Sequence, residues 1–310
     1  MRKTALNTIY EIAKQDSKVL FIGSDLGPDV LAEMKATIPN QFFMEGVSEQ
    51  HIVGMAAGLA LEGYKPFVNT IATFLTRRCF EQVAIDVCQQ NLPVRLIANG
   101  GGAVYAPLGP THLAVDDMAL MRVLPNMMVV APCDALEMRE VILASMNNRH
   151  PMYIRLAKGG DPVISDYSSK PFKLGKLVVM KEVGDGVFVT TGVATQIALE
   201  ASRLIKNEMG INIGVIHCHT VKPLDVDLAL EFIPKAKAVV IAEEHSRIGG
   251  LGSAVLELCN DLNPTQSNKI FRLGIPDQFS DKYGSQNDLL NYWGITALKL
   301  KDQMLKQLRN

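Results

Sequence analysis

The chain has 310 residues, of which 48% are hydrophobic and 20% are charged, and its formal net charge is −1. That length can hold two ordinary domains, and the near-zero charge excludes an electrostatic attraction to nucleic acid or to an anionic membrane surface. Because no apolar run has membrane-spanning length, the N-terminus lacks a signal-peptide core and the five cysteines are scattered, we expect a cytoplasmic protein with reduced thiols.

Short β-branched runs alternate with helical patterns along the first half of the chain. The predicted strands are Lys18–Gly23, Gln41–Met44, Pro66–Ile71, Pro93–Asn99, Met127–Ala131 and Met152–Arg155. The predicted helices between them are Asp29–Thr37, Ser48–Glu62, Arg77–Gln90, Ala114–Val123 and Ala135–Asn147. Such alternation indicates an α/β fold, in which helices cover both faces of a parallel sheet.

From Gly159 to Lys173 this pattern lapses into turn residues, which predicts a linker. Alternation then resumes, with strands at Val187–Thr191, Ile211–Ile216 and Ala238–Glu243 and helices at Ala194–Met209 and Gly252–Leu262. We therefore predict a larger domain over residues 1–160, a linker over residues 161–176 and a smaller α/β domain over residues 177–310.

The predicted helix that follows Ser48 places one acid, Glu49, at the start of an otherwise small and apolar segment. Ser48 is a good N-cap, and a carboxylate in the first turn suits the helix dipole. The glycines and alanines that follow invite close approach by a backbone or a flat ligand. Glu49 is therefore a candidate for a buried acid used in proton transfer. The pattern alone favours a plainer interpretation, in which the acid only stabilises a tightly packed helix.

Ligands of parallel sheets bind beyond the carboxyl ends of the strands, so the loops at those ends carry the candidate residues. Three such loops stand out, Gly23–Pro28, Ala72–Phe80 and the long segment Asn99–His112. His112 precedes a predicted helix, where its imidazole either contacts substrate or is simply exposed. Phe74 and Phe80 form either a flat-ring platform or ordinary core.

Two glycine-rich turns imitate ligand-binding motifs. Gly184–Gly186 with Asn212 resembles a signature that holds magnesium and a diphosphate, but it precedes its strand instead of following it, so we reject it. Gly249–Ser253 resembles a phosphate-binding turn but lacks the complete dinucleotide fingerprint, so we expect tight packing there. His217 and His219 lie on one face of an extended segment without a third ligand nearby in the sequence. We therefore predict that the chain contributes no metal ligand.

Several motifs together carry a resemblance to a known family. They are Gly46–His51, Ala56–Ala60, Ala72–Leu75, Gly109–His112, Met121–Met127, Ala131–Asp134, Val221–Asp225 and Glu243–Gly252. In these motifs the chain resembles, nearly end to end, the C-terminal half of transketolase and of deoxyxylulose-phosphate synthase. The resemblance implies a parallel-sheet pyrimidine-binding domain of the thiamine-diphosphate-binding fold, followed by a smaller α/β transketolase C-terminal domain.

The resemblance also implies roles for individual residues. Glu49 would hydrogen-bond and activate the aminopyrimidine of thiamine diphosphate, and His112 would stabilise the oxyanion that develops on the substrate. The other cofactor contacts would come from Phe74, Phe80, Asp25 and Arg77. The other substrate contacts would come from Arg2, Lys158 and Ser24.

The chain departs from the family pattern at a few positions. Leu108 stands where the family has an acid that reads a sugar hydroxyl, and a leucine cannot accept that hydrogen bond, which puts the usual aldose preference in doubt. Lys158 replaces an arginine and loses its bidentate fork. Arg77 matches the synthase, whereas transketolase has an aromatic residue there. The N-terminal half, with its magnesium and diphosphate motif, has no counterpart in this sequence.

The leading interpretation is therefore the C-terminal subunit of a split transketolase, which transfers a two-carbon ketol (glycolaldehyde) unit from a ketose (phosphate) to an aldose (phosphate). An N-terminal transketolase subunit would hold Mg²⁺ and the diphosphate, and two copies of each chain would form a heterotetramer. Three alternatives stay open. They are the β subunit of a 2-oxo-acid dehydrogenase first component, an enzyme similar to deoxyxylulose-phosphate synthase, and a catalytically silent scaffold or regulatory paralogue.

Overall fold

The computed structural model describes residues 1–27, 29–157, 159–262 and 264–309. Its first part contains six strands, β1 (Val19–Gly23), β2 (Phe42–Met44), β3 (Lys65–Ile71), β4 (Arg95–Asn99), β5 (Met128–Val130) and β6 (Met152–Leu156). Five helices accompany them, α1 (Arg2–Ala13), α2 (Ala32–Thr37), α3 (Glu49–Leu61), α4 (Asp117–Arg122) and α5 (Ala135–Ser145). Two further helical segments have wide, π-type turns, Phe74–Arg78 and Gln82–Gln89.

The second part adds six strands, β7 (Val178–Lys181), β8 (Gly186–Thr190), β9 (Ile213–His217), β10 (Thr220–Lys222), β11 (Ala238–Ser246) and β12 (Ile270–Ile275). Its helices are α6 (Ala194–Met209), α7 (Ile233–Lys235), α8 (Leu251–Leu262), α9 (Gln286–Trp293) and α10 (Ala297–Arg309). Within the described ranges, none of the helices combines the length and the apolar character that crossing a membrane requires.

The strands form two sheets. The first has the order β2-β1-β3-β4-β6-β5-β10 and the second the order β12-β11-β8-β9-β7. Neighbouring strands are parallel except at β10 and β7, which run antiparallel to β5 and β9. The predicted α/β class is therefore confirmed, but the antiparallel edge strands were not predicted. They are short and need no crossover helix, so they leave no alternating pattern in the sequence.

Helices cover both faces of the first sheet, as predicted. On one face, α1 and α5 contribute Leu6, Ile9 and Val141 to an apolar cluster. On the other face, α3 and the Gln82–Gln89 segment contribute Ile52 and Val87 to a second cluster. Strands β1 and β4 are buried along their whole length because they lie between these two layers.

The elements predicted in the first half of the chain and near α6 and α8 are present, with ends displaced by a few residues. The helix predicted over Arg77–Gln90 instead begins at Phe74 and is divided in two. α1 was not predicted, although its buried residues recur at helical spacing. The strands β7, β10 and β12, the helical turns around α7, and the last two helices were also not predicted.

The two parts of the chain interlock. Strand β10 comes from the second part but pairs with β5 of the first sheet, at Thr220 and Val130. A buried ion pair lies at the same junction, where Arg155 Nε on β6 is 2.8 Å from the Asp117 carboxylate on α4. Arg155 also donates to the carbonyl of Glu244 on β11, at 2.9 Å. Strand β10 follows the predicted linker in the chain but belongs to the first sheet. The division into domains at residues 161–176 therefore remains a prediction.

Replacing Arg155 tests this junction. Arg155→Met leaves the fully buried carboxylate of Asp117 without its cation, so we expect a loss of about 3 kcal/mol or more in the free energy of unfolding. Urea denaturation followed by circular dichroism measures the change. The control is Arg203→Met, which breaks an exposed pair with Glu200 and should cost about 1 kcal/mol or less. Equal losses in the two variants would contradict the assignment.

Candidate active site

The buried face of α3 carries a charged group. Its apolar residues recur every three or four positions and point into the core, at Ile52, Val53, Ala56, Ala57 and Ala60. Glu49 continues the same face into the first turn, and only 2% of it is exposed. Ser48 occupies the N-cap position, but its hydroxyl donates to the carbonyl of Glu45 instead of accepting from the helix. The predicted capping by this side chain is therefore wrong.

Arg78 neutralises the buried carboxylate. Its Nη1 lies 2.5 Å from Glu49 Oε2. Its Cζ lies 4.1 Å from the centroid of the Phe74 ring, in a cation–π contact. Phe74 and Arg78 meet because they are four residues apart in one helical segment. Sequence reasoning missed Arg78, although it directly follows the predicted Arg77.

His112 and Phe74 lie side by side. Their ring centroids are 5.3 Å apart in an edge-to-face arrangement, so the structure brings together the predicted acid, aromatic ring and imidazole. Arg77 holds the loop that carries His112, since it donates to the carbonyl of Leu113 at 2.9 Å and pairs with Asp116. In this structure Arg77 therefore positions the site.

The second part of the chain also holds the loop between β4 and α4. Glu244 Oε1 accepts a hydrogen bond from the backbone N–H of Ala103, at 2.8 Å. Gly102 has a φ of +68°, and a Cβ there would lie 2.4 Å from the Glu244 side chain, so this close approach requires glycine. The backbone N–H of Ser246 donates to the carbonyl of Val115, at 2.7 Å. The position of His112 therefore depends on the second part of the chain.

A second polar group lies beyond the end of β1. Ser24 is buried, and its Oγ is 2.9 Å from Asp25 Oδ1 and 2.8 Å from Thr70 Oγ1. Arg2 is exposed, and its positive charge acts on Tyr105. Burial raises the pKa of the Tyr105 hydroxyl, while Arg2 acts in the opposite direction. Sequence reasoning missed Tyr105; its place in the long loop was the only available signal.

The remaining predicted residues are less informative. Phe80 is half-buried and packs against the apolar cluster of the first sheet. Leu108 is 54% exposed, so an apolar side chain faces outward in the predicted substrate loop. Lys158 lies outside the described residues.

The site fits the aminopyrimidine of thiamine diphosphate. Such a ring needs a buried carboxylate for its ring nitrogen and an aromatic face for stacking, which Glu49 and Phe74 supply together. These two side chains already hold a flat group, the Arg78 guanidinium, which contacts the carboxylate and the ring face at the same time.

The two glycine-rich turns have structural roles. Gly184–Gly186 precedes β8, and Asp185 Oδ1 is paired with Lys237 Nζ at 3.0 Å. Glu243 accepts hydrogen bonds from the N–H groups of Leu251 and Gly252 at the start of α8, at 2.7 and 2.9 Å. A side-chain carboxylate therefore fills the place that a phosphate would take.

A buried cluster at the junction has potential metal ligands. Cys133, Glu137 and His217 offer ligand atoms within 4.8 Å of one another. Both ring nitrogens of His217 are already hydrogen-bonded, Nε2 to Glu137 and Nδ1 to Thr195, each at 2.8 Å. Burial would raise the pKa of Glu137, but His217 and its other partners lower it to about 2. Glu137 and Thr195 therefore already occupy both ring nitrogens of His217.

Two known families match the two parts of the chain. Residues 1–160 match the family described as transketolase, pyrimidine binding domain, and residues 175–300 match transketolase, C-terminal domain. One subunit of the apulose-4-phosphate transketolase of Phocaeicola vulgatus is 31% identical over 295 residues, which cover 95% of this chain and 93% of that protein. A solved structure described as a split gene transketolase, inactive beta4 tetramer, has a TM-score of 0.90 and 34% identity, covering 99% of this chain and 98% of that chain.

A longer relative is also similar. The 1-deoxy-D-xylulose-5-phosphate synthase of Halothermothrix orenii is 34% identical over 310 residues, which cover 96% of this chain but only 48% of the synthase. The chain thus spans about half the length of this relative and nearly the full length of the apulose-4-phosphate transketolase subunit.

His219, beside the cluster at the junction, should make stability sensitive to acid. Burial lowers the pKa of His219 from 6.5 to about 4, although Glu137 and Asp225 oppose the shift and His217 adds to it. The unfolded chain therefore binds the proton first. Stability should fall as the pH drops from 6.5 to 4, by up to about 3 kcal/mol.

Urea denaturation at several pH values checks this. His219→Gln should flatten the loss between pH 6.5 and 4.5, above the range in which Glu137 titrates. The exposed His51→Gln should keep the wild-type slope. If the free energy of unfolding of the His219 variant falls with pH as steeply as that of the wild type, another group causes the loss of stability.

Proposed function

The chain belongs to the transketolase family, and we propose that it is the C-terminal subunit of a split transketolase that depends on thiamine diphosphate. Its reaction is the transfer of a two-carbon ketol unit from a ketose phosphate to an aldose phosphate. The observation that carries the proposal is the buried Glu49, which Arg78 links to Phe74, together with His112 packed against Phe74. The resemblance assigns Glu49, Phe74 and His112 to one site.

Glu49 and Phe74 act on the cofactor. Glu49 hydrogen-bonds the ring nitrogen of the aminopyrimidine and shares a proton with it, and the Phe74 ring stacks on the same group. When bound, thiamine diphosphate supplies the carbon nucleophile and the electron sink for breaking a carbon–carbon bond. Phe80, Asp25 and Arg77 complete the surroundings of the cofactor.

His112 and three further residues act on the substrate. The His112 imidazole donates a hydrogen bond to the oxygen on which negative charge develops. Arg2, Ser24 and Lys158 bind the sugar phosphate. Leu108 offers no acceptor for a sugar hydroxyl, so the preferred aldose differs from that of enzymes with an acid at this position.

A second chain completes the enzyme. We propose that an N-terminal transketolase subunit holds the diphosphate and Mg²⁺, and that two copies of each chain assemble as a heterotetramer in the cytoplasm. The similarity over nearly the whole length of an apulose-4-phosphate transketolase subunit and of a split gene transketolase supports this arrangement, as does the match to only half of a synthase.

Reconstitution tests the split enzyme. The purified chain with thiamine diphosphate and Mg²⁺ should show no ketol transfer, and activity should appear when an N-terminal transketolase subunit that binds the diphosphate is added. A coupled assay with xylulose 5-phosphate and an aldose phosphate measures it. Turnover by the single chain would contradict the split arrangement. Because of the 34% identity to the synthase, pyruvate replaces xylulose 5-phosphate as donor in a parallel assay with the same aldose phosphate. Turnover with pyruvate but not with xylulose 5-phosphate would favour a synthase-like reaction.

Glu49→Gln tests the activating acid. Glutamine keeps the shape but cannot share a carboxyl proton, so we expect kcat of the assembled enzyme to fall by about 10²–10⁴-fold. The rate of hydrogen–deuterium exchange at the thiazolium carbon, followed by NMR, should fall with it. Glu62→Gln, at the exposed end of the same helix, is the control. Near-normal exchange in the Glu49 variant would remove Glu49 from this role.

A further inference from the structure

Arg78 makes two contacts that bear on cofactor binding. Its guanidinium pairs with Glu49 Oε2 at 2.5 Å and lies over the Phe74 ring, with Cζ 4.1 Å from the ring centroid. Glu49 and Phe74 are the two side chains that the proposed function assigns to the aminopyrimidine. The guanidinium is flat, bonds to the carboxylate and stacks on the ring face, so it takes up the two contacts that the aminopyrimidine would make.

We propose that Arg78 occupies the aminopyrimidine site of the isolated chain and that the cofactor binds only by displacing it. The inference rests on the proposed function, since that function identifies the site. One carboxylate oxygen and one ring face cannot hold two flat groups at the same distances. Arg78 therefore competes with the cofactor directly.

The hydrogen bond of Arg78 gives a second reason for displacement. The guanidinium donates to Glu49 Oε2, and a guanidinium has no acceptor to which Glu49 could give a proton. An acid that activates the aminopyrimidine must instead share a proton with the ring nitrogen. Glu49 can do this only after Arg78 has moved away.

The structure allows this movement. The Arg78 side chain is 43% exposed, whereas only 2% of Glu49 is exposed. The Arg78 carbonyl accepts a hydrogen bond from Gln50 Nε2, at 3.2 Å, so the backbone can stay in place while the long side chain turns toward solvent. The exchange needs side-chain rotation alone.

Occupancy by Arg78 links cofactor binding to assembly. If Arg78 leaves the site free in only a fraction of the molecules, the apparent affinity for the ligand is reduced by that fraction. In the isolated chain the aminopyrimidine must displace Arg78 unaided. In the proposed heterotetramer, contacts to the diphosphate add binding energy, so Arg78 is displaced mainly in the assembled enzyme.

Thiamine binding by the purified full chain tests the inference, because thiamine has the aminopyrimidine without the diphosphate. Calorimetry should show that Arg78→Met binds thiamine more tightly than wild type, by about tenfold or more. Arg139→Met is the matched control, since Arg139 is also 43% exposed and pairs with Glu11 at the surface. It should bind thiamine as the wild type does.

Arg78→Lys covers the case in which Arg78→Met does not fold. Lysine keeps a positive charge beside Glu49 but cannot stack as a flat group, so its affinity should lie between those of the wild type and Arg78→Met. Equal or weaker binding by the folded Arg78 variants overturns the inference, and so does an absence of binding in all of them.

The proposed function can fail separately. Adding Glu49→Gln or Phe74→Leu to Arg78→Met should remove the gain in thiamine affinity. If these additions leave the affinity of Arg78→Met unchanged, thiamine binds elsewhere, and both the site assignment and the inference fail. If they weaken binding while Arg78→Met itself binds no more tightly than wild type, only the occupancy of the site by Arg78 is wrong.

Discussion

The buried carboxylate of Glu49 is the constraint around which the candidate site is organised. An unpaired charge in a protein interior costs several kcal/mol, so the surroundings must supply a partner. The apolar face of α3 places Glu49 inside, and the following helical segment supplies both a cation and an aromatic ring. We propose that the cofactor takes over these contacts when it binds.

The same constraint operates at the junction between the two parts of the chain. Asp117 is paired with Arg155, and Glu137 with His217. Glu243 instead uses the backbone N–H groups at the start of α8. Asp117 and Glu137 join elements that are distant in sequence, whereas Glu243 joins β11 to the helix that follows it. Arg155 also donates to the carbonyl of Ala114, and Glu244 accepts from Ala103, so the second part of the chain helps to position the loop of His112.

The sequence indicated a good part of this site. Glu49 was visible as a single acid in an apolar segment, and His112 as the end of a long loop at the edge of a parallel sheet. The resemblance added Phe74 and the cofactor. Arg78 and Tyr105 were missed, because their contacts depend on side chains brought together by folding. Ser48 has the residue type of a cap, but its hydroxyl donates to the carbonyl of Glu45 and accepts no hydrogen bond from the helix backbone.

By itself, the sequence determined the α/β class, the internal strands and the buried face of α3. These follow from the spacing of apolar residues along each segment, which is the same whatever the rest of the chain does. Only the tertiary structure decided that β10 completes the first sheet, that Glu244 holds the loop of His112, and that Arg78 covers Glu49. Edge pairing and buried ion pairs join residues far apart in the chain, and their geometry exists only once the core has packed.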